Sequence, residues 1–216
     1  MTTPLIAVLD YGIGNLRSAQ KALQHVGADA RLTEDPDLAA SADAVVLPGV
    51  GAFGRSMEAL RERELDRVAF DTIDAGKPFL GICVGMQMLY DASDESPGVS
   101  GLGVLGGRVR RLPEGVKHPQ MQWNTLDQLA PSPLLDGLGE HPWLYFVHSY
   151  APDPVDRDEI VATCDYGGPV TAMVQRGVLW ATQFHPEKSG RTGLALLANF
   201  VAAAAAAAVA APGQGR

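Results

Sequence analysis

A cysteine near the middle of the chain stands between two glycines, each two residues away. Residues 79–90 read FLGICVGMQMLY, with Cys83 between Gly81 and Gly85. This is the spacing of the G-x-S-x-G nucleophile elbow, a strand-to-helix turn that forces its central residue into unfavourable backbone angles and needs small neighbours. The pattern predicts a nucleophilic thiol at a helix N-terminus, where backbone N–H groups stabilise a thiolate. A buried cysteine in an ordinary β–α turn is the alternative.

A nucleophilic thiol requires a base, and histidine is the usual one. His185 stands directly after a predicted strand, in ATQFHPEKSG, and Glu187 follows two residues later. Residues two apart in an extended chain project from the same face, so we expect Glu187 to orient the imidazole while His185 exchanges a proton with Cys83. An ordinary surface pair is the alternative for this segment taken alone. The other candidate bases are His25, His118, His141 and His148.

Acyl transfer also requires donors for an oxyanion. The N–H of Val84, immediately after the cysteine, is the first candidate. The segment Pro48-Gly49-Val50-Gly51 ends the third predicted strand, and its glycines allow backbone N–H groups to approach a substrate closely. We therefore expect the second donor in this loop, with a simple glycine-rich turn as the alternative.

The elements that would position these residues alternate between strand and helix in residues 1–95. Apolar runs predict strands over 5–10, 28–33, 42–49 and 78–82, and amphipathic spacing predicts helices over 16–26, over 55–75 and from residue 84 onward. Such alternation predicts a parallel sheet that is covered by helices on both faces. The second half predicts strands over 103–111, 143–150, 160–164, 170–175 and 179–183, and then a closing helix from about 191 to 200.

Length and charge limit the kind of protein. The chain has 216 residues and a net charge of −8. We expect a single domain over residues 1–201, followed by a low-complexity, alanine-rich tail over 202–216 that either extends the closing helix or frays. An acidic balance argues against nucleic acid as a partner, because phosphate binding needs clustered lysine and arginine.

The cysteine count and the apolar runs further limit the kind of protein. Two cysteines without a C-x-x-C pattern indicate neither a disulfide framework nor a zinc site. No secretory signal is visible after Met1, and no uninterrupted apolar run approaches the roughly 20 residues that a membrane span needs. We therefore expect a cytoplasmic protein with reduced thiols, without a metal, a cofactor or a membrane partner.

Taken together, the motifs PGVGAFG, GICVGMQ and QFHPEKSG resemble those of the class I (triad-type) glutamine amidotransferases. Within that family, the segments DYGIGNLRS, QWN, YFVHSY and the late NF resemble the glutaminase subunits of imidazole glycerol phosphate synthases. The resemblance covers about residues 5–201. It implies a flavodoxin-like, three-layer α/β sandwich with a mostly parallel central sheet. It also implies hydrolysis of glutamine to glutamate and ammonia through a cysteine thioester, without a cofactor.

The resemblance implies a role for individual residues. Cys83 would attack the glutamine side-chain amide, His185 would act as base and then acid, and Glu187 would orient His185. Gly51 and Val84 would surround the oxyanion. The residues implied to line the glutamine pocket are Gln87, Glu95, His148, Ser149 and Tyr150, among which Glu95 suits the α-ammonium group of the substrate.

The resemblance further implies a partner. The glutaminase would form a heterodimer with a (βα)8-barrel cyclase, and ammonia would pass through the barrel to a ribulose-phosphate nucleotide. The products would be imidazole glycerol phosphate and an aminoimidazole carboxamide ribotide, within histidine biosynthesis. The residues implied at the interface are Asn15, Trp123, Tyr145 and Lys188. The chain departs from the family in KHPQMQWN, where Gln120 replaces a histidine and Gln122 a glycine; both positions lie outside the triad and bear on coupling to the partner.

Two other functions share parts of this pattern. Another amidotransferase of the same family, such as one that feeds pyridoxal phosphate or aminobenzoate synthesis, shares the elbow and the His185–Glu187 pair, so that only DYGIGN, QWN and YFVHSY distinguish it. A redox-sensing or chaperone-like protein of the same architecture shares an elbow cysteine. Such a cysteine needs no base with an orienting carboxylate, so the His185–Glu187 pair argues against it.

Overall fold

An eight-stranded sheet forms the centre of the protein. The computed structural model describes residues 3–210. In chain order its strands are β1 (Leu5–Leu9), β2 (Asp29–Thr33), β3 (Ala44–Gly49), β4 (Phe79–Cys83), β5 (Ala92–Ser93), β6 (Gly107–Arg111), β7 (Gln120–Thr125), β8 (Asp127–Gln128), β9 (Trp143–His148), β10 (Tyr150–Pro154), β11 (Ile160–Asp165), β12 (Pro169–Arg176) and β13 (Leu179–Thr182). Its helices are α1 (Leu16–His25), α2 (Pro36–Ser41), α3 (Phe53–Glu62), α4 (Leu65–Asp74), α5 (Val84–Gln87) and α6 (Gly190–Ala210).

The central sheet has the strand order β2-β1-β3-β4-β13-β12-β11-β8. The first five strands are parallel to one another, and β12, β11 and β8 complete the sheet through antiparallel pairings. Every residue of β3 and β4 is buried, as is typical of parallel strands covered on both faces. The predicted α/β architecture with a mostly parallel central sheet is confirmed.

Two smaller sheets lie outside the central one. Strands β10, β6 and β5 form the first, and the antiparallel ribbon of β7 and β9 forms the second. The strand predicted over 143–150 is in fact two strands, because the chain leaves β9 before Ser149 and enters β10 after it. The strand β7 was not predicted, although in its sequence, QMQWNT, Met121 and Trp123 alternate with polar residues as in a strand.

The single helix predicted over residues 55–75 is wrong, because the segment forms two helices, α3 and α4. Glu64 stands between them with a φ of 55°, and a residue in the left-handed region interrupts a right-handed helix. Helix α2 was not predicted either. The Asp35 side chain accepts the Asp37 N–H and Pro36 occupies the first helical position, so the start of α2 is well specified although the helix is short.

The helix that follows Cys83 is also shorter than predicted. Helix α5 has only four residues, and the chain then turns toward β5. The loop that follows takes the carbonyl groups that a longer helix would use: the Leu102 N–H donates to Met88 O, and the Leu105 N–H donates to Leu89 O. Tertiary hydrogen bonds therefore replace the next helical turn.

The closing helix is longer than the predicted range 191–200. Helix α6 runs without interruption through the predicted boundary at residue 201, because its alanines have the highest helix propensity. The remainder of the predicted tail, residues 211–216, lies outside the described residues. The side chains of α6 that are buried against the domain include Leu196, Leu197, Phe200, Val201 and Ala204.

Among the described helices, α6 is the one that is long and apolar enough to cross a membrane by length and composition. Its apolar residues do not form one uninterrupted run, because Arg191, Thr192 and Asn199 stand among them; the match depends on the average hydropathy, which the alanines keep high. About a third of the window Gly190–Val209 is buried inside the fold. A helix that packs one face onto a protein core meets the same criterion, so the match is weak support for a membrane span.

Candidate active site

The sheet topology brings three predicted segments to one edge. Strands β3, β4 and β13 are neighbours in the sheet and parallel, so their carboxyl ends meet. Gly49, at the end of β3, pairs with Cys83, at the end of β4. The segment that carries His185 follows β13 directly. Ligands of open parallel sheets bind at this carboxyl edge, so the topology favours a site there.

The predicted elbow is present at Cys83. Its φ of 55° and ψ of −111° lie in a region that non-glycine residues rarely adopt. A Cβ atom on Gly85 would overlap the backbone carbonyl oxygen of Leu47, and one on Gly81 would lie 3.1 Å from Gly85 O. The two glycines therefore allow the tight approach of α5 to the sheet, and the requirement is stricter at Gly85.

Most of the predicted site residues line one cavity of about 410 Å³ at this edge. The predicted residues among its walls are Asn15, Gly51, Cys83, Val84, Gln87, Glu95, His148, Ser149, Tyr150, His185 and Lys188. Val50, in the predicted oxyanion loop, also lines the cavity, and so do Pro119 and Val147, which were not predicted. Glu187, Trp123 and Tyr145 are not among the lining residues. The cysteine and the histidine therefore share a pocket, although they are far apart in sequence.

Glu187 lies behind His185 and holds its ring. The distance between His185 Nδ1 and Glu187 Oε1 is 2.8 Å, and both side chains are buried. The contact was predicted from an extended chain, and that local geometry is wrong, because Glu187 lies in a 3-10 turn from Pro186 to Lys188. The turn also brings the Ser189 hydroxyl to 2.6 Å from His185 O, which it donates to.

Charge determines the protonation of His185. Burial opposes the charged imidazole, but the sulfur of Cys83 and the carboxylate of Glu187 outweigh it and raise the pKa of His185 to about 10. The Nε2 atom of the ring is buried and has no hydrogen-bond partner among the described residues. An imidazolium with one nitrogen held and the other free in the cavity of the Cys83 sulfur is the arrangement that proton transfer to or from a substrate requires.

His148 has the opposite electrostatic environment. Its Nδ1 atom lies 2.9 Å from Tyr150 O, to which the Nδ1–H donates. Burial dominates, the nearby His185 adds to it, and the pKa of His148 falls to about 4. The neutral ring leaves Nε2 as a buried acceptor without a partner in the described part of the chain. His25, His118 and His141 do not line the cavity, so the geometry reduces five candidate bases to two, and only His185 has an orienting carboxylate.

A pair of glutamines connects the pocket to the sulfur. The Gln87 Nε2 group donates to Tyr150 O and to Gln183 Oε1, both at 2.9 Å. The Gln183 Nε2 group in turn lies 3.6 Å from Cys83 Sγ. Gln183 was not predicted as a site residue, although it stands in the QFHPEKSG motif. A polar residue directly after a fully buried strand was the signal that could have identified it.

Glu95 and its neighbour Ser96 cap the helix that follows the predicted oxyanion loop. Glu95 Oε2 accepts the Phe53 N–H at 2.7 Å, and Ser96 Oγ accepts the Gly54 N–H at 3.0 Å. The residue before α3, Ala52, has no side chain that can cap the helix. The capping groups therefore come from a distant segment, and Glu95 connects the pocket to the start of α3.

Tyr11 anchors the same loop from the other side. Its hydroxyl donates to Pro48 O at 2.7 Å, and the side chain is fully buried. Burial raises the pKa of Tyr11 well above its usual range, so the hydroxyl remains a donor. Gly51, three residues beyond Pro48, has a φ of 89°, which glycine adopts without strain. Tyr11 belongs to the DYGIGN motif, but its contact with the loop was not predicted.

The remaining predicted residues lie at the rim of the cavity or beside it. Trp123 and Tyr145 face each other across the β7–β9 ribbon with their ring centroids 6.0 Å apart. The outer face of the ribbon exposes large apolar side chains, with 60% of Met121, 47% of Trp123 and 59% of Trp143 accessible. Asn15 and Lys188 are exposed at the rim. This face is apolar, exposed and adjacent to the cavity.

The two departures from the family pattern lie on β7 and differ in burial. Gln122 is exposed, whereas Gln120 is fully buried. The Gln120 Nε2 group lies 3.8 Å from Cys164 Sγ, and its Oε1 has no partner in the described part of the chain. Gln120 therefore contributes to the interior, and only Gln122 is placed where a partner could contact it.

Comparison with known proteins identifies the family. The profile described as "Glutamine amidotransferase class-I" matches residues 7–204. The chain is 52% identical over 200 residues to imidazole glycerol phosphate synthase subunit HisH of Methanothermobacter thermautotrophicus, covering 91% of this chain and 98% of that protein. It is 50% identical over 210 residues to the protein of the same name from Synechococcus elongatus, covering 95% and 96%.

Solved structures support the fold. A crystal structure described as that of a glutamine amidotransferase superposes with a TM-score of 0.74 at 22% identity, covering 93% of this chain and 98% of that one. The structure of PurLQS from Thermotoga maritima gives a TM-score of 0.75 at 20% identity, covering 93% and 99%. At such identities the likeness concerns the fold alone.

Proposed function

The chain belongs to the class-I glutamine amidotransferase family, and from this premise we propose that it is the glutaminase subunit of an imidazole glycerol phosphate synthase. It hydrolyses glutamine and supplies the ammonia to histidine biosynthesis. The identity of 50–52% to HisH subunits over more than nine-tenths of the chain supports this assignment over other amidotransferases. The observation that carries the chemistry is the cavity that Cys83 and His185 share, with Glu187 behind the imidazole.

The reaction begins at the sulfur. The Cys83 thiolate attacks the side-chain carbonyl carbon of glutamine, and a C–S bond forms while the carbonyl electrons move onto oxygen. The C–N bond then breaks, and the leaving ammonia takes the proton of the His185 imidazolium. Water attacks the resulting thioester, His185 takes a proton from that water, and the C–S bond breaks to release glutamate. The sum is glutamine plus water giving glutamate plus ammonia, with the enzyme restored.

The backbone stabilises the oxyanion in this scheme. The N–H of Val84, at the first position of α5, has no partner within the helix and is the first donor. The second donor comes from the loop at Gly51, which lines the same cavity. Such donors are most effective when they are fixed before the reaction. The Tyr11 bond to Pro48 O and the capping of α3 by Glu95 support a preorganised loop.

The remaining lining residues form the glutamine pocket in this scheme. Glu95 supplies a carboxylate for the α-ammonium group, and its bond to the Phe53 N–H fixes the carboxylate in place. His148 is neutral and offers an acceptor at Nε2. Gln87, Ser149 and Tyr150 complete the wall.

The partner in this proposal is a (βα)8-barrel cyclase, bound as a heterodimer. The apolar outer face of the β7–β9 ribbon adjoins the cavity and supports a docking surface there, with Trp123 and Tyr145 at its centre. Asn15 and Lys188 extend that surface around the rim. Ammonia released at Cys83 then reaches the barrel without crossing bulk water. We infer a cytoplasmic location for the complex from its proposed biosynthetic role.

Ammonia release from glutamine tests the proposal. We expect slow release by the chain alone and a large increase when the barrel cyclase and its ribulose-phosphate nucleotide are both present. In the same complex, the Cys83→Ala variant should release no ammonia. Cys164→Ala is its matched control. Undiminished release by Cys83→Ala, or a stable complex with another synthase in place of the cyclase, would overturn the proposal.

A further inference from the structure

We propose that Gln183 is a catalytic residue whose side-chain amide donates a hydrogen bond to the Cys83 sulfur and favours its thiolate form. The inference rests on the proposed function, since it assigns a further group to the same reaction. The direct observation is the distance of 3.6 Å from Gln183 Nε2 to Cys83 Sγ. This is a contact with the reacting atom itself.

The network around Gln183 determines which end of its amide faces the sulfur. The carbonyl of Tyr150 can only accept, so Gln87 must present its NH₂ group there. The same NH₂ group meets the side chain of Gln183, where only the oxygen can accept it. The NH₂ group of Gln183 is therefore left facing Cys83. The orientation follows from one backbone carbonyl and two successive donor–acceptor pairs.

Burial strengthens the hydrogen bond between Gln183 and Cys83 and fixes the position of its donor. Gln183 is fully buried, and its backbone N–H is held by Ala172 O at 2.8 Å. A donor inside the protein acts on an anion more strongly than one in water, because water does not compete for either group. Hydrogen bonds that involve a charged group are also the stronger ones. The amide therefore stabilises the charged sulfur more than the neutral thiol, and it holds the sulfur toward the cavity.

The two sides of the sulfur then have different functions. His185 carries the proton that the reaction moves, whereas the Gln183 amide does not titrate and, toward the sulfur, only donates. After the thioester forms, the sulfur has no charge and the bond weakens. When water cleaves the thioester, the thiolate returns as the leaving group and the bond strengthens again. Gln183 therefore favours both the attacking and the leaving state of the sulfur.

The test measures alkylation of Cys83 in the full-length chain as a function of pH. Iodoacetamide alkylates a thiolate with loss of iodide, and peptide mass mapping distinguishes Cys83 from Cys164. In Gln183→Met, which has a similar volume and no donor, we expect the midpoint of the rate profile to move up by about one pH unit. In Gln183→Glu, which keeps an acceptor for Gln87 and places a carboxylate near the sulfur, we expect a larger upward shift.

Gln120→Leu is the matched control, because Gln120 faces the other cysteine at 3.8 Å and does not line the cavity. It should leave the Cys83 profile unchanged. An unchanged profile in folded Gln183→Met would overturn the inference. If both Gln183 variants fail to fold, hydrogen exchange of the Gln183 side-chain NH₂ protons is compared between the wild-type chain and Cys83→Ala. They should exchange with solvent faster in Cys83→Ala, and equal exchange would refute the hydrogen bond.

The outcomes separate this inference from the proposed function. Glutaminase kinetics of the complex are measured alongside, and Gln183→Met should lower kcat about tenfold or more while changing KM far less. A wild-type complex that releases no ammonia from glutamine would refute the glutaminase function. A shifted alkylation profile would still support the contact between Gln183 and Cys83. Normal glutaminase activity with an unshifted profile would refute the role of Gln183 alone.

Discussion

The two cysteines of this protein lie in two regions that share burial and a neighbouring glutamine but differ in backbone strain, charge and access to a cavity. Both are buried, and each faces the amide of a glutamine, at 3.6 Å for Cys83 and 3.8 Å for Cys164. Cys83 ends a parallel strand at a strained turn and lines a cavity. Cys164 lies within the antiparallel strand β11, away from that cavity. Burial raises the pKa of Cys164 to about 11, so its thiol stays neutral.

The difference shows what a reactive thiol requires beyond a nearby amide. The region of Cys83 adds backbone strain, an imidazolium and space for a substrate, and the region of Cys164 has none of these. The two histidines of the cavity show the same dependence on neighbouring groups within one pocket. The pKa of His185 is raised to about 10 by the charges of Cys83 and Glu187 against the effect of burial, whereas burial lowers the pKa of His148 to about 4. The charged neighbours of His185, rather than its burial, therefore determine the pKa that distinguishes it from His148.

Exchange of each cysteine for serine should give the largest difference between the two regions. Cys83→Ser should reduce ammonia release from glutamine by the cyclase complex by about 10⁴-fold or more, because the nucleophile is lost. Cys164→Ser, in which the substituted residue is far from the cavity, should retain most of the activity. Equal losses in the two variants would remove the contrast between the regions.

The strain at the elbow gives the next largest effect. Gly85→Ala should lower the free energy of unfolding by about 4 kcal/mol or more, because its Cβ would overlap the Leu47 carbonyl and the backbone must move. Gly81→Ala, whose Cβ would lie 3.1 Å from its nearest neighbours, should cost about 1–2 kcal/mol. Urea denaturation of the two variants measures both. A larger loss of stability in Gly81→Ala than in Gly85→Ala would show that the tightest contact is not at Gly85.

A smaller effect is expected from the loop that faces Cys83. Tyr11→Phe removes the hydrogen bond to Pro48 O and should lower stability by about 1–2 kcal/mol, with a loss of glutaminase activity as the loop loosens. Tyr90 is the matched control, because it is equally buried but its hydroxyl has no partner among the described residues. Tyr90→Phe should be neutral or slightly stabilising in the same denaturation experiment. Equal costs for the two tyrosines would mean that the Pro48 bond adds nothing.

Much of the fold was predictable because the relevant signals are local. Apolar runs such as those of β3 and β4 mark buried parallel strands, and the elbow glycines mark the turn at Cys83. The pair of His185 and Glu187 was also predictable, since both residues stand in one short segment. The prediction of one helix over 55–75 is wrong at Glu64, because no sequence signal predicts a residue in the left-handed region there.

Contacts between distant segments were not predictable. Gln183 contacts Cys83 only because β4 and β13 are neighbours, and Tyr11 contacts Pro48 only because the loop after β1 lies beside the end of β3. The capping of α3 by Glu95 and Ser96 likewise depends on the tertiary fold. Such contacts follow from strand order, which composition and periodicity do not encode locally.

The charge of His185 also gives stability a definite pH dependence. The folded chain holds the His185 proton up to about pH 10, whereas an unfolded histidine releases it near pH 6.5. The folded state therefore binds more protons between these values, so this contribution to stability is fully present below about pH 6.5 and is lost as the pH rises to about 10. Glu187→Gln should reduce this contribution, because it removes one of the charges that hold the proton. Urea denaturation of both chains across this pH range measures the difference.

An NMR titration of the His185 imidazole tests most directly whether the cysteine and the histidine act as one ion pair. In the wild-type chain the ring should remain protonated at pH 8 and titrate near pH 10. In Cys83→Ser, which lacks the thiolate charge, the titration should fall well below the wild-type value, while Cys164→Ser should leave it unchanged. A wild-type ring that titrates near pH 6.5 and does not respond to Cys83→Ser would contradict the account.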